Sequence, residues 1–153
     1  MGQYWMPVNL DKKEFLDPHK LGCGLKLAEQ VGTFPGTGTP LIILCAAVGE
    51  LRSMGDLGRD EGTSDYEAIA ARTIGRWRGD RIAIVGDYAE DEFLPPEFQA
   101  SQIYSRCRHA DDIPASEYYT DITEDVCQVL EHELGGAFSG DGWRNFNFHR
   151  EQE

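Results

Sequence analysis

Two short apolar runs separated by polar residues open the chain. Residues 3 to 16, QYWMPVNLDKKEFL, flank Asn9-Leu10-Asp11-Lys12-Lys13 with aromatic and apolar positions, and the polar turn residues between them predict a β-hairpin. Pro7 cannot donate to a ladder, so it places the first strand at an edge or a bulge. Asp17-Pro18 breaks the second strand. Leu21 to Gln30 then permits a short helix, weakened by Gly22 and Gly24, and residues 32 to 38, GTFPGTG, read as a loop. The run from Thr39 carries two signals. Leu41-Ile42-Ile43-Leu44 favours a strand, whereas Thr39 as N-cap, Pro40 at the first helical position and Ala46-Ala47 favour a buried helix, which is the expectation adopted.

Residues 52 to 63, rich in Gly and Asp, predict a loop. Ser64-Asp65-Tyr66-Glu67 fits a capping box, and Tyr66, Ile69, Ala70 and Ile74 follow at helical spacing until Gly75 supplies a stop. In WRGDRIAIVGDY, residues 77 to 88, Gly79-Asp80 is turn chemistry. Arg81 to Val85 has the continuous apolar character of a strand covered on both faces. Residues 89 to 117 are poorly patterned and punctuated by Pro95-Pro96 and Pro114. Asp121-Ile122-Thr123-Glu124 resembles a second capping box with Asp121 as N-cap. The apolar face behind it is Val126, Cys127, Val129, Leu130 and Leu134, ended by Gly135-Gly136. In the tail, Ser139-Gly140-Asp141-Gly142 followed by Trp143, Phe146 and Phe148 predicts a hairpin or strand. Strands and about three to four helices without regular βαβ alternation predict a single α+β domain over residues 1 to 153, with a mixed or antiparallel sheet.

The blocks MGQYW, VNLDKKEFLDPHKLGCGLKL, WRGDRIAIVGDY and YYTDITEDV together resemble a family of small uncharacterised bacterial proteins with longer fungal relatives. The likeness covers most of the chain in scattered blocks, and the N-terminal block is its most distinctive part. It implies no catalytic residue, cofactor or substrate.

Charge changes the picture more than overall composition does. The 153 residues are 41% hydrophobic, ordinary for one globular domain, but the formal net charge is -13. Residues 87 to 133 hold thirteen acids against only Arg106 and Arg108, while all four lysines, Lys12, Lys13, Lys20 and Lys26, lie near the N-terminus. Such a band repels a phosphate backbone, which disfavours direct nucleic-acid binding, and its natural complement is a basic protein partner. The candidate contacts are Glu90, Asp91, Glu92, Asp111, Asp112, Glu117, Asp121, Glu124 and Asp125. The longest apolar run, Leu41 to Val48, is far short of the roughly 20 residues that span a bilayer, and the start lacks the basic and apolar regions of a secretory signal. A soluble, cytoplasmic protein without membrane contact is expected.

Candidate chemistry is sparse. Asp87 follows Gly86 at a strand end, where His19 or Lys20 would supply a proton partner or charge clamp in a small hydrolase or transferase. The commoner role of such a Gly-Asp pair is to end a strand, and that is the expectation for Asp87. His19 and Lys20, after Asp17-Pro18, are expected in a solvated loop. Cys23, Cys45, Cys107 and Cys127 show no paired spacing and are expected to be reduced and mostly buried. No metal or cofactor motif occurs: Pro35-Gly36-Thr37-Gly38-Thr39 lacks the Walker lysine, and His132-Glu133 lacks the second histidine of a zincin. Arg76-Trp77-Arg78 combines an aromatic with two cations, as some nucleic-acid sites do, and a Trp packed under arginine stems explains it equally well. An acidic interaction protein, inhibitor or immunity-like, is therefore the leading expectation.

Overall fold

A computed structural model of the chain describes residues 3 to 33, 35 to 47 and 64 to 134. The elements run β1 (Trp5–Asn9), β2 (Glu14–Phe15), a 3-10 turn (Pro18–Leu21), α1 (Leu27–Gly32), α2 (Gly38–Cys45), α3 (Ser64–Thr73) and β3 (Ile82–Gly86). Two further 3-10 turns (Asp91–Phe93, Pro96–Phe98), α4 (Ala100–Cys107), another 3-10 turn (Ala115–Glu117), β4 (Thr120–Asp121) and α5 (Thr123–Leu134) complete it. The four strands form a mixed sheet in the order β3-β1-β2-β4, antiparallel except for the parallel pair β2-β4. The fold is α+β, with five α-helices among the described residues, where three to four were expected.

The N-terminal hairpin forms because Asn9 organises its turn. Its buried Oδ1 accepts the N–H groups of Asp11 (2.9 Å) and Lys12 (2.8 Å), and its Nδ2 donates to Asp80 (2.8 Å). Pro7, however, lies in β1, an inner strand. It is tolerated because alternate residues of β1 bond β3: Leu10 donates to Arg81 (2.8 Å) and Tyr4 accepts from Asp87 (3.0 Å). Pro7 therefore faces β2, where its carbonyl accepts Leu16 N–H (3.0 Å) and the missing return bond falls just past the end of β2.

Each face of the sheet has its own cover. Met6, Val8, Phe15 and Val85 pack with Ile103 and Cys107 of α4, and with Tyr119. On the opposite face Leu16 joins Leu21, Trp77 and the buried sides of α2, α3 and α5. The strand around Ile82 is not covered on both faces as its apolar run predicted: β3 is an edge strand, and Ile84 is 38% exposed.

Helix positions depart from the sequence pattern where the pattern was weak. The helix expected over Leu21 to Gln30 divides into the 3-10 turn, closed by Gly22 at φ 76°, and α1 six residues on. Helix α2 bears out a helix rather than a strand for the Leu41-Leu44 run, starting at Gly38 rather than at Pro40. In α3, Tyr66, Ala70 and Ile74 face the core, and Gly75 stops the helix at φ 76°. The capping contact of Ser64, the loop at 52 to 63, the face position of Leu134, the Gly135-Gly136 stop and the tail hairpin lie outside the described residues. Among the described residues no helix is long and apolar enough to cross a membrane.

Candidate functional site

Asp87, His19 and Lys20 each have local work. Asp87 donates its N–H to the carbonyl of Tyr4 and accepts the Tyr4 N–H on Oδ1, both at 3.0 Å. Its carboxylate thus replaces a main-chain carbonyl in the last ladder pair of β1 and β3. Exposed His19 donates its backbone N–H to Asp17 Oδ1 (3.0 Å) within the 3-10 turn. Lys20 Nζ pairs with Asp121 Oδ2 at 2.6 Å, and that hydrogen bond first, then the nearby carboxylates, raises its pKa. None of the three residues lines either of two clefts formed by described residues.

The acidic band is distributed over both edges of the sheet. Asp121 lies in β4 and Glu124 and Asp125 open α5, at the sheet edge opposite β3. Three strand spacings, about 14 Å, separate the two edges. Asp121 accepts Thr123 N–H (2.9 Å) and Oγ1–H (2.5 Å), but α5 begins at Thr123, so Asp121 lies one position before the N-cap rather than at it as expected. Asp125 is clamped by Arg72 through two bonds of 2.9 and 3.0 Å, and the guanidinium lowers its pKa. Glu117 pairs with Arg106 at 3.3 Å. Exposed Asp111 and Asp112 occupy the turn after α4, and Glu124 accepts from Gln128 at 3.5 Å.

At the β3 edge the arrangement is different. Asp91 accepts Ser101 N–H (3.0 Å), which lowers its pKa and ties the acid run to the first turn of α4. Glu90 and Glu92 flank it, exposed, and no described Lys or Arg forms an ion pair with either. A cleft of about 150 Å³ is lined by strand residues Trp5, Ala83, Ile84 and Val85 and by Phe93 and Leu94, among others. Tyr88 is 57% exposed and Phe93 65%, beside Ile84. All three side chains line the same cleft.

Ile84, Tyr88 and Phe93 were not among the residues the sequence singled out. The available signal was the interleaving of aromatics with acids in YAEDEF, residues 88 to 93, directly after a strand free of Pro and Lys.

A second, more polar cleft of about 300 Å³ is lined by Lys13, Glu97, Gln99, Arg106, Glu117 and Tyr119, among others. Arg106 donates to Gln99 Oε1 (2.5 Å), to Glu117 and to the Phe98 carbonyl (3.4 Å), while its buried Nε has no partner among the described residues. Among the described residues no group of three or more His, Cys, Asp or Glu side chains is placed to hold a metal ion. None of the four cysteines forms a disulfide, and Cys23, Cys107 and Cys127 are buried. Burial pushes the Cys127 thiol up to about 12. Compared with protein families, with curated proteins and with solved structures, the chain gives no match.

Proposed function

We propose that this chain is an acidic interaction protein, of the inhibitor or immunity-like kind, that masks a basic surface of a protein partner. One observation carries the proposal: Glu90 and Glu92 stand exposed, without a cation paired to them among the described residues, beside exposed Ile84, Tyr88 and Phe93. Apolar area supplies affinity, while unscreened carboxylates steer a cationic partner and select it over neutral ones. Acids already held by Arg72, Lys20 or Arg106 contribute less, since their charge is compensated inside the chain.

Partner capture by the wild type and by the Glu90→Lys/Glu92→Lys double variant, each at low and high salt, tests this. Binding that falls with salt and with the double reversal, at unchanged folding, is the expected outcome. At 0.15 M salt the Debye length is about 8 Å, so steering fades well before short-range contacts do. Capture that is indifferent to both salt and reversal would overturn the proposal.

A further inference from the structure

Strand β3 is an edge without the usual protections. Its pairing with β1 uses Arg81, Asp87 and the alternate residues between them, so the N–H and C=O groups of Ile82 and Ile84 and the N–H of Gly86 point away from the sheet. The Gly86 carbonyl is taken by Ala89 N–H at 3.2 Å, but no described residue bonds the outward groups of Ile82 or Ile84. Edge strands are normally blunted by Pro, Lys, a bulge or great shortness. Ile82-Ala83-Ile84-Val85-Gly86 contains neither Pro nor Lys, and its five residues pair with β1 in unbroken register from Trp5↔Gly86 to Asn9↔Ile82.

The apolar cleft follows this same edge. Ala83 and Val85 project to the α4 face and Ile84 to the other, so the cleft lining includes residues from both sides of the strand. A strand laid along β3 would present alternate side chains to these two walls while its backbone met the outward N–H and C=O groups. Glu90 and Glu92 lie just beyond the C-terminal end of β3.

We infer that β3 takes up an extended segment of the basic partner as an added strand, with apolar side chains alternating over the cleft and Lys or Arg beside Glu90 and Glu92. Strand addition presupposes the basic partner proposed above and specifies how it is held. A second copy of this chain fits less well, because it would bring a further formal charge of -13 to the same edge.

The probe is a nine-residue peptide of alternating valine and threonine with two lysines at each end, added to the full-length chain. Backbone amide exchange at Ile82, Ile84 and Gly86 should slow on binding, while amides bonded to β1 change little. N-methylation of alternate peptide residues removes two or three backbone bonds and should weaken binding by about tenfold or more. Ile84→Pro, which deletes one outward donor but no β1 bond, should weaken it in the same direction.

Salt-sensitive binding of the peptide with unslowed exchange at Ile82, Ile84 and Gly86 would overturn strand addition and leave the acidic docking surface standing. Slowed exchange that persists at high salt and in the Glu90→Lys/Glu92→Lys variant would overturn the basic occupant and the proposed function with it. Protection of the edge without peptide also overturns the inference. Concentration dependence with a dimeric sedimentation mass would then assign the edge to a second copy, and concentration independence to another segment of the chain.

Discussion

At Glu14 a carboxylate is buried where several N–H donors converge on it. Trp77 Nε1 donates to Oε1 at 3.0 Å, and Arg76 reaches both oxygens through Nε at 2.9 and 3.0 Å and through Nη2. The Arg76-Trp77-Arg78 triplet is therefore partly an internal carboxylate clamp, with the Trp ring buried and its N–H satisfied. Removing the carboxylate in Glu14→Ala leaves a buried indole donor and a half-buried guanidinium without it. We expect a loss of about 2–3 kcal/mol in urea unfolding, less than for a fully buried pair because the Arg76 side chain retains 36% exposure. Asp87 is a milder case. Asp87→Asn keeps an oxygen for the Tyr4 N–H and should leave stability nearly unchanged, whereas Asp87→Ala should lose about 0.5–1.5 kcal/mol by the same measurement. Equal losses in the two variants would show that the ladder does not end on that oxygen. The strand-ending role was legible from Gly86-Asp87, because turn chemistry is local. The convergence of Arg76 and Trp77 on Glu14 was not, since 62 residues separate Glu14 from Arg76 and no local pattern encodes such a contact.

Elements with a strong period or a local stop signal were legible; those held by tertiary packing were not. Tyr66, Ala70 and Ile74 announced α3 because three turns of one helix face are buried together. Helix α4 escaped notice because only Ala100, Ile103 and Cys107 of its eight residues are buried, a stripe too short to stand out among prolines and acids. Pro7 misled because edge placement is only one way to accommodate a missing donor, and the actual way depends on where β2 ends. The glycine at the end of α3 does more than terminate it. Gly75 donates to the Ile43 carbonyl (2.9 Å) and Trp77 to the Leu44 carbonyl (2.8 Å), which locks the C-terminus of α2 to the turn after α3. A Cβ at Gly75 would lie 2.7 Å from the Ala46 carbonyl oxygen, at a φ of 76°. Gly79 has φ 72° but open space around its Cα. Both alanine substitutions incur the left-handed penalty of about 1 kcal/mol, and only Gly75→Ala adds the collision, for a total of about 2–3 kcal/mol. Thermal or urea unfolding of the two variants should show that gap; equal losses would mean that the α2–α3 junction yields without strain.

Across the whole molecule, the sequence revealed how much negative charge there is but not how the fold distributes it. Thirteen acids in 47 residues look like one band, yet the strand order sends Asp121 and the start of α5 to one edge and Asp87 to Glu92 to the other. Local ion pairs and hydrogen bonds then compensate part of the charge, and they contribute modestly to the acid limit of stability because they are exposed. Hydrogen bonds from Arg81, Lys12, Ser101 and Arg72 lower the pKa values of Asp11, Asp80, Asp91 and Asp125, respectively, from 3.8. A carboxyl whose folded pKa lies below its unfolded value contributes stability that is complete above the unfolded value and lost as pH falls through the folded one. These four should therefore leave stability undiminished down to about pH 5 and erode it progressively as pH falls through 3.8 and then the lower folded values. The alkaline limb has the opposite origin. Burial raises Cys127 from 9.0 to about 12, so its unfolded thiol releases a proton that the folded one keeps, and stability falls from about pH 9 upward. Buried Cys107 acts in the same sense. Urea unfolding measured from pH 2 to 11 should show both limbs. Cys127→Val should weaken the alkaline one without moving the acid one, and Asp125→Asn should weaken the acid one without moving the alkaline. An alkaline limb of unchanged depth in Cys127→Val would mean that burial of the Cys127 thiol does not contribute to it.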